Sequence, residues 1–590
     1  MIPSAFVFLD SLPLTPNGKV DRRHLPAPES RGELEVSFVA ARTPIEQMLA
    51  DIWADVLGVK QIGIDDNFFE LGGDSILSLQ IIARANQAGI QLTPKLLFGN
   101  QTIAQLAIVA GTTEKIQAQQ GLVTGELPLT PIQHWFFEQN LPQPHHYNQS
   151  VLLSVPNDLK KELLESVLQQ LLWHHDALRL RFVQQGDRWQ QINAGVTEKV
   201  PLHVVDLSVI APENQPAALE AAGSELQASF NITAEPLLRA ALFHFGINQP
   251  SRLLIVIHHL AVDGVSWRIL LEDLFNAYQQ ISRGEAIQLP PKTSAFKDWA
   301  QRLTEYGQSA AITAELDYWL AADGAIATSL PVDYPPSQEA NIIATTAVVS
   351  VSLSREKTRV LLQEVPSTYN TQISDVLLTA LVQSFAQWTQ QRSLLIHLEG
   401  HGREEIFEDI DLSRTVGWFT SLFPVRLELS EEKHPGNALK SVKEQIRRIP
   451  KRGIGYGVLR YLSQNAERFQ DLPRPEVSFN YLGQFDESGA WGFAQESQGA
   501  EHDSQQNRYH LLDISGLVIN GQLEINWTYS EKVHQRSTIE RLAQWFLKAL
   551  ETLIDHCQSP NAGGYTPSDF PEAELSQAEL DEILSEFQLL

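Results

Sequence analysis

Leu253-Leu254-Ile255-Val256-Ile257 is a continuous apolar run, the pattern of a strand buried on both faces. His258-His259-Leu260-Ala261-Val262-Asp263-Gly264 follows it directly. Next comes Val265-Ser266-Trp267-Arg268-Ile269-Leu270-Leu271, with apolar residues at helical spacing. The pattern therefore predicts two imidazoles and a carboxylate at a turn from a buried strand into a helix. Other stretches follow the same logic. Thr43-Pro44 is a helix start, Ile45 to Leu57 keep helical spacing, and Gly58 ends the helix. Asp74-Ser75 precedes Ile76, Leu79, Ile82 and Ala83, so Ser75 is predicted at a helix N-terminus. Lys160 to Leu172 and Ser374 to Trp388 predict helices, and Leu394 to Leu398 a strand with Glu399-Gly400-His401-Gly402-Arg403-Glu404 at its end. His174-His175 reads as structural, at the approach to a strand through Phe182. From Leu127 to about Pro560 strands and helices alternate, which suits two half-domains of mixed sheet and helix.

A chain of 590 residues suggests roughly four domains or lobes. No apolar run approaches the ~18 residues of a membrane span. Met1 to Leu9 lack a basic leader and a cleavage site, so no signal peptide is expected. Cys557 is the single cysteine, which rules out an internal disulfide framework and a cysteine metal cluster. A cytoplasmic location fits. The net charge of −27 argues against a nucleic-acid partner.

A neutral imidazole at a rigid strand end can take or give a proton near neutral pH. A metal held by His258, His259 and Asp263 lacks a third histidine at ligand spacing, so none is expected. Gly453-Ile454-Gly455-Tyr456-Gly457 lacks the strand-to-helix context of a phosphate loop and is expected to be a structural turn. Trp418 and Phe419 read as core.

Asn67-Phe68-Phe69-Glu70-Leu71-Gly72-Gly73-Asp74-Ser75 closely resembles the attachment motif of peptidyl carrier proteins. The resemblance covers residues 43–110. It implies an all-α four-helix bundle with 4′-phosphopantetheine covalently on Ser75, and no pyridoxal phosphate. A helix N-terminus favours the phosphodiester's charge. Aspartate at 74 looks like the variety that precedes epimerization domains. Leu12-Pro13-Leu14-Thr15-Pro16-Asn17-Gly18-Lys19 resembles the last motif of adenylation domains, in which the matching lysine contacts the acyl-adenylate. So short a stretch is far below domain size; a chain cut from a larger synthetase is implied, and Lys19 has no site to serve.

His258-His259 with Asp263-Gly264 resembles the signature of the condensation-domain superfamily. The implied fold is a large α/β, two-lobed, chloramphenicol-acetyltransferase-like domain. Val265-Ser266-Trp267-Arg268, Glu399 to Glu404, Arg414 to Ser421, Gly453 to Gly457 and Phe479-Asn480-Tyr481-Leu482-Gly483 resemble its epimerization branch. The resemblance implies His259 and Glu399 as an acid/base pair across the lobe interface, with Tyr481 a weaker candidate relay. Asp263 and Arg403 are implied as a structural pair, His258 as structural, and Asn480 and Trp418 as cleft-lining.

The implied layout is an adenylation remnant (1–28), a linker (29–42), the carrier (43–110), a linker (111–125), the epimerization domain (126–560, with lobes 126–295 and 296–560) and a linker or docking tail (561–590). In that tail Leu575, Leu580, Ile583 and Leu584 suggest an acidic amphipathic helix. The expected reaction is Cα epimerization of a carrier-bound thioester, L to a D/L mixture, in nonribosomal peptide synthesis. The alternatives are peptide-bond formation and a catalytically silent docking module. Expected partners are an upstream adenylation domain, a downstream condensation domain and a phosphopantetheinyl transferase, without nucleic acid or membrane.

Overall fold

The computed structural model describes residues 38–111, 116–196, 202–323, 329–335, 337, 340–431, 434–485, 491–560, 562–573 and 575–588. The expected adenylation remnant, with Lys19, lies outside the described residues.

The carrier is four helices, Pro44–Leu57, Ser75–Gln87, Pro94–Gly99 and Ile103–Val109. Three of them begin with a threonine whose hydroxyl takes a backbone N–H of the first turn: Thr43, Thr93 and Thr102. Trp53, Phe68, Leu97 and Leu106 are fully buried among them.

In the first lobe, five strands run in the order Gly492–Phe493, Asn148–Val155, Ser251–His258, Leu238–His244, Leu202–Asp206. The central strand explains its unbroken apolar run. Leu253, Ile255 and Ile257 join the main core, while Leu254 and Val256 face a second cluster with Leu219 and Phe243. Neither face meets water, so alternation disappears. Emptying one such site, Leu254→Ala, would cost about 2–5 kcal/mol.

The second lobe has six strands in the order Ser421–Glu428, Ser393–Gly400, Val477–Phe485, Leu512–Ile519, Gln522–Ser530, Thr346–Ser352. Helices Ile373–Thr389 and Arg536–Cys557 pack together beside it, with Phe385, Trp527 and Phe546 at the seam. A short sheet of Gly125–Leu127, Arg188–Asn193 and Leu180–Gln185 completes the fold.

One local element differs from the sequence reading. Gly453–Gly457 is no turn: Gly453 caps the helix Ile454–Leu462, which contains the other two glycines. A Cβ on Gly455 would strike the Glu315 carboxylate at 1.9 Å, and one on Gly457 would meet Pro131 at 2.8 Å. Close helix packing, not chain reversal, requires those glycines. The second half of the 111–125 stretch is pinned to the large domain, with Arg179 bonding Val123 O and Lys292 bonding Gly121 O. Residues 562–573 lie against helix Pro435–Arg447, where the buried Lys443 ammonium holds Asp569 at 2.7 Å. A helix Gln577–Gln588 follows, with Leu580 buried. Among the described residues, no helix is long and apolar enough to cross a membrane.

Candidate functional site

Ser75 is the first residue of its helix, and Asp74 is the cap. One Asp74 oxygen accepts from Ile76 N and Leu77 N at 2.9 and 2.8 Å. The other is buried without a hydrogen bond among the described residues, beside the charge of Arg268. Burial pushes this carboxyl above its ordinary range. The two preceding glycines have separate reasons. Gly72 takes φ +91°, and a Cβ on Gly73 would lie 2.4 Å from the Phe68 ring. The Ser75 hydroxyl makes no hydrogen bond among the described residues and faces a cavity, so it fits covalent modification.

The carrier sits on the large domain. Leu79 is part of the large domain's core, Gln484 bonds Gly72 O at 2.7 Å, and Glu405 takes Lys95 N at 2.8 Å. Arg452 lies 4.5 Å above the Phe98 ring. Between the two domains runs a cavity of about 410 Å³ lined by Ser75, Gly264, Arg268, Glu399, Asn480 and Tyr481 among others. The carrier serine and the predicted glutamate thus line one cleft.

His258 ends the central strand, fully buried. Its Nε2 donates to Pro144 O at 2.9 Å and its Nδ1 accepts from Leu260 N at 3.2 Å. Burial drives its pKa down to about 3, so it stays neutral and structural in its contacts.

His259 opens a single 3₁₀ turn, half-buried. Its Nδ1 donates to Val262 O at 2.8 Å. Its Nε2 meets the amide of Gln149 at 3.0 Å. The indole N–H of Trp267 can only donate, and it reaches the Gln149 oxygen at 2.9 Å. The Gln149 amide nitrogen must then face His259, so Nε2 is the lone-pair nitrogen. Burial also lowers the pKa, which agrees with a neutral ring. Trp418 packs on the imidazole at 4.3 Å and Tyr147 at 5.7 Å. Gln149, Trp267 and Tyr147 carried no sequence signal for this role, since each reaches His259 through tertiary contacts.

Glu399 lies on strand Ser393–Gly400 and is open to the cavity. One oxygen accepts from Asn480 Nδ2 at 2.8 Å. The side chain is exposed to the open cleft, yet protein packed around it desolvates the charge, and this, with the charge of Asp513, raises its pKa to about 7. Among the described residues no hydrogen bond joins Glu399 to His259. Tyr147 lies near both: it stacks on His259, and the charge of Glu399, after burial, raises its hydroxyl pKa.

Asp513 is itself held. Ser478 Oγ, His510 Nδ1 and Arg508 bond its carboxylate, and His510 Nε2 meets His397 Nδ1 at 2.8 Å. These contacts outweigh its desolvation and lower its pKa to about 2.

Asp263 and Arg403 meet as expected. The Arg403 guanidinium donates to both Asp263 oxygens at 2.9 and 3.1 Å, and to Thr415 O at 2.6 Å. Asp263 also caps helix Gly264–Ser282 through Ser266 N, and takes Phe419 N at 3.1 Å. Both side chains are buried, and the pair ties the two lobes beneath the cleft. Gly402 allows the crossing, since a Cβ there would lie 1.7 Å from Phe419 O.

Tyr481 is separated from this group. Neighbours in a strand point to opposite faces, so Asn480 faces Glu399 while Tyr481 does not. Its hydroxyl is buried without a partner among the described residues, toward Asp74 and Arg268.

His174, His175 and Asp273 offer ligand atoms within 4.8 Å of one another. His175 already bonds one Asp273 oxygen and Arg414 the other. A guanidinium in that place opposes a cation, and the cluster reads as an ion-pair network.

A two-lobed α/β domain, with a histidine turn at its lobe interface and a carrier serine opening into a cavity that Glu399 also lines, defines a carrier-dependent acyl-processing class. The condensation-domain family matches residues 123–576, and the phosphopantetheine attachment site matches residues 47–109. The chain belongs to the condensation-domain family, preceded by a carrier domain whose 4′-phosphopantetheine is attached at Ser75. It is 51% identical over 602 residues to one of the linear gramicidin synthase proteins of Brevibacillus parabrevis, covering 99% of this chain and 8% of that protein. It is 50% identical over 588 residues to another protein of the same synthase, covering 98% and 12%. The chain thus spans about a tenth of the length of these relatives. Among solved structures, the epimerization domain from the third module of tyrocidine synthetase B superposes with a TM-score of 0.71 at 38% identity. That match covers 75% of this chain and 99% of that one.

Proposed function

We propose that this protein epimerizes the Cα of an aminoacyl or peptidyl group held as a thioester on the Ser75 arm. The reaction would belong to nonribosomal peptide synthesis. The observation that carries the reading is the shared cavity. Ser75 and Glu399, whose pKa is about 7, both line it.

An arm on Ser75 supplies a thioester, in which the α-proton is more acidic than in an amide. A carboxyl with a pKa near 7 is well matched to taking and returning such a proton at neutral pH. Asn480 orients it. His259 presents a lone pair on Nε2 from the other lobe. To take a proton there it must give up its bond from Gln149. The helix Gly264–Ser282 brings its N-terminal Gly264 and Val265 to the cavity. Its positive end favours the negative charge that builds on the carbonyl oxygen. Asp263 and Arg403 hold that helix start in place. Tyr481, beside Asp74 and Arg268, belongs to the arm's passage rather than to the proton path. Asp74 before the serine and the 38% identity to an epimerization domain support the same reading. Peptide-bond formation would leave the tuned Glu399 carboxyl without a task.

An upstream adenylation domain would load the arm, a phosphopantetheinyl transferase would install it, and a downstream condensation domain would draw off the product. The direct test loads Ser75 with an L-aminoacyl pantetheine and incubates in heavy water. Deuterium at Cα with a D/L mixture is expected. Pure, unlabelled L-amino acid would sink the reading.

A further inference from the structure

The imidazole of His259 touches two larger rings. Trp418 lies 4.3 Å from it, centroid to centroid, with the planes 33° apart. Tyr147 lies 5.7 Å away and nearly parallel, at 24°. Those two rings also meet each other, at 6.2 Å. The three form a closed triangle with the acid/base candidate at one corner.

The triangle is braced from outside. Phe136 stands edge-on to Tyr147 at 5.1 Å and to Trp418 at 6.2 Å. His502, from the second lobe, stands edge-on to Tyr147 at 4.6 Å. The backbone ties the pair as well, since His259 N donates to Tyr147 O at 2.9 Å. Trp418 and Phe136 are buried. The aromatic faces are therefore fixed before any proton moves.

The neutral imidazole is already held by its bonds to Val262 O and Gln149. The form that lacks support is the imidazolium, because a proton on Nε2 costs the bond from Gln149. Nearby charges give little back. Asp263, at the start of helix Gly264–Ser282, has both oxygens on Arg403 and further bonds from Ser266 N and Phe419 N. His258, on the preceding strand, and His502, beyond Tyr147, stay neutral, since burial drives their pKa values to about 3 and about 4. Gln149 and Trp267 carry no charge. Glu399, in the facing lobe, makes no hydrogen bond to His259 among the described residues. A cation within about 6 Å of an aromatic face is attracted by the ring's quadrupole, most strongly by an indole. The rings thus supply what the polar neighbours do not.

We infer that Trp418 and Tyr147 form a cation-stabilising box for His259, which holds the imidazolium that exists at one stage of the epimerization. Both are positioning residues, because they act through the imidazole. The inference rests on the epimerase reading and deepens it. One Cα–H bond breaks, its proton passing to one of Glu399 and His259 and its electron pair into the enolate. A new Cα–H bond then forms on the opposite face with the proton of the other group. In either direction His259 carries a second proton, before the enolate forms or after. The hydrogen bonds set its resting form, and the rings lower the cost of leaving it.

The test uses the whole chain with an L-aminoacyl arm on Ser75 and follows inversion to the D-form in a single turnover. Tryptophan analogues with one to four fluorine atoms are placed at position 418 alone by nonsense suppression. Fluorine withdraws charge from the indole face and nearly keeps its shape. Inversion should slow in step with the number of fluorines, by about tenfold in all. The same series at Trp135, which packs on Trp418 at 6.2 Å and has no ring contact with His259 among the described residues, should leave the rate unchanged. At position 147, 4-cyanophenylalanine should be slower than phenylalanine by about threefold, since the cyano group empties the ring face. The rise near pH 7, which belongs to Glu399, should stay in place throughout.

A flat series at position 418 would overturn the inference. Equal slopes at 418 and 135 would also overturn it, because general strain would then explain the loss. So would a pH rise that moves with fluorination, since the rings would then be acting on Glu399. Equal rates for phenylalanine and 4-cyanophenylalanine would strike Tyr147 from the box. No inversion and no label from the unmodified chain would remove the epimerase reading and this inference with it.

Discussion

His259 has both ring nitrogens bonded, one to Val262 O and one to Gln149, and an indole on its face. Glu399, in the other lobe, has one oxygen on Asn480, and the other makes no hydrogen bond among the described residues. The first is a group whose neutral form is over-determined. The second is a group whose charge is nearly undecided, since desolvation and Asp513 bring it to about 7. A residue wrapped in specific bonds resists changing protonation state, because each bond favours one form. A residue facing an open cleft, with a single neutral partner, changes state cheaply. The more distinctive motif, His258 to Gly264, therefore holds the stiffer half of the site.

The largest effect should come from Glu399→Gln, which keeps shape and removes proton exchange. Label uptake at Cα should fall by about 10²–10⁴. His259→Ala should also slow uptake strongly, but by less. If the order were reversed, the stiff half would be doing the chemistry. Asp263→Ala should cost about 3–5 kcal/mol in denaturant unfolding, because it strands the buried Arg403 charge. Unchanged stability would mean that the lobes are tied elsewhere. A smaller effect concerns pH. Initial uptake from the L-substrate should rise through about pH 7 as Glu399 loses its proton, and Asp513→Asn should move that rise to lower pH. The sign follows because the Asp513 charge raises the Glu399 pKa, so removing it favours ionisation earlier. A flat profile would assign abstraction to another group. Smallest should be Gln149→Leu. It leaves the Trp267 N–H unsatisfied, worth about 1–3 kcal/mol of stability, and frees Nε2 of His259. Uptake should change by less than for His259→Ala.

How much of this could be read beforehand depends on how local each signal is. Leu253 to Ile257 was legible because both neighbours of the strand are core, and the carrier helix starts because threonine or aspartate caps them. Asp263 and Arg403 were legible as a pair through a family pattern. Gln149 was not, because its role depends on the register that sets it opposite Ile257 and beside His259. The His510–Asp513 support of Glu399 was also hidden, since it depends on which strands lie side by side. Alternation did separate Asn480 from Tyr481, once the strand was known to place Asn480 beside Glu399. Gly453 to Gly457 misled because glycine serves close packing as readily as turning, and only the Pro131 and Glu315 contacts distinguish the two.

The two-residue strand Gly492–Phe493 pairs with Asn148–Val155 in the first lobe, although its chain belongs to the second. Downstream of it, Arg252 holds Glu496 at 2.6 Å and Glu501 accepts from Ser150 Oγ at 2.7 Å. For anyone recombining modules, the lobes are therefore not exchangeable cassettes. A crossover placed between them near residue 295 would hand the first lobe a foreign edge strand and a foreign carboxylate for Arg252. Breakpoints that respect the fold lie outside the two-lobe unit, in the stretch that follows the carrier.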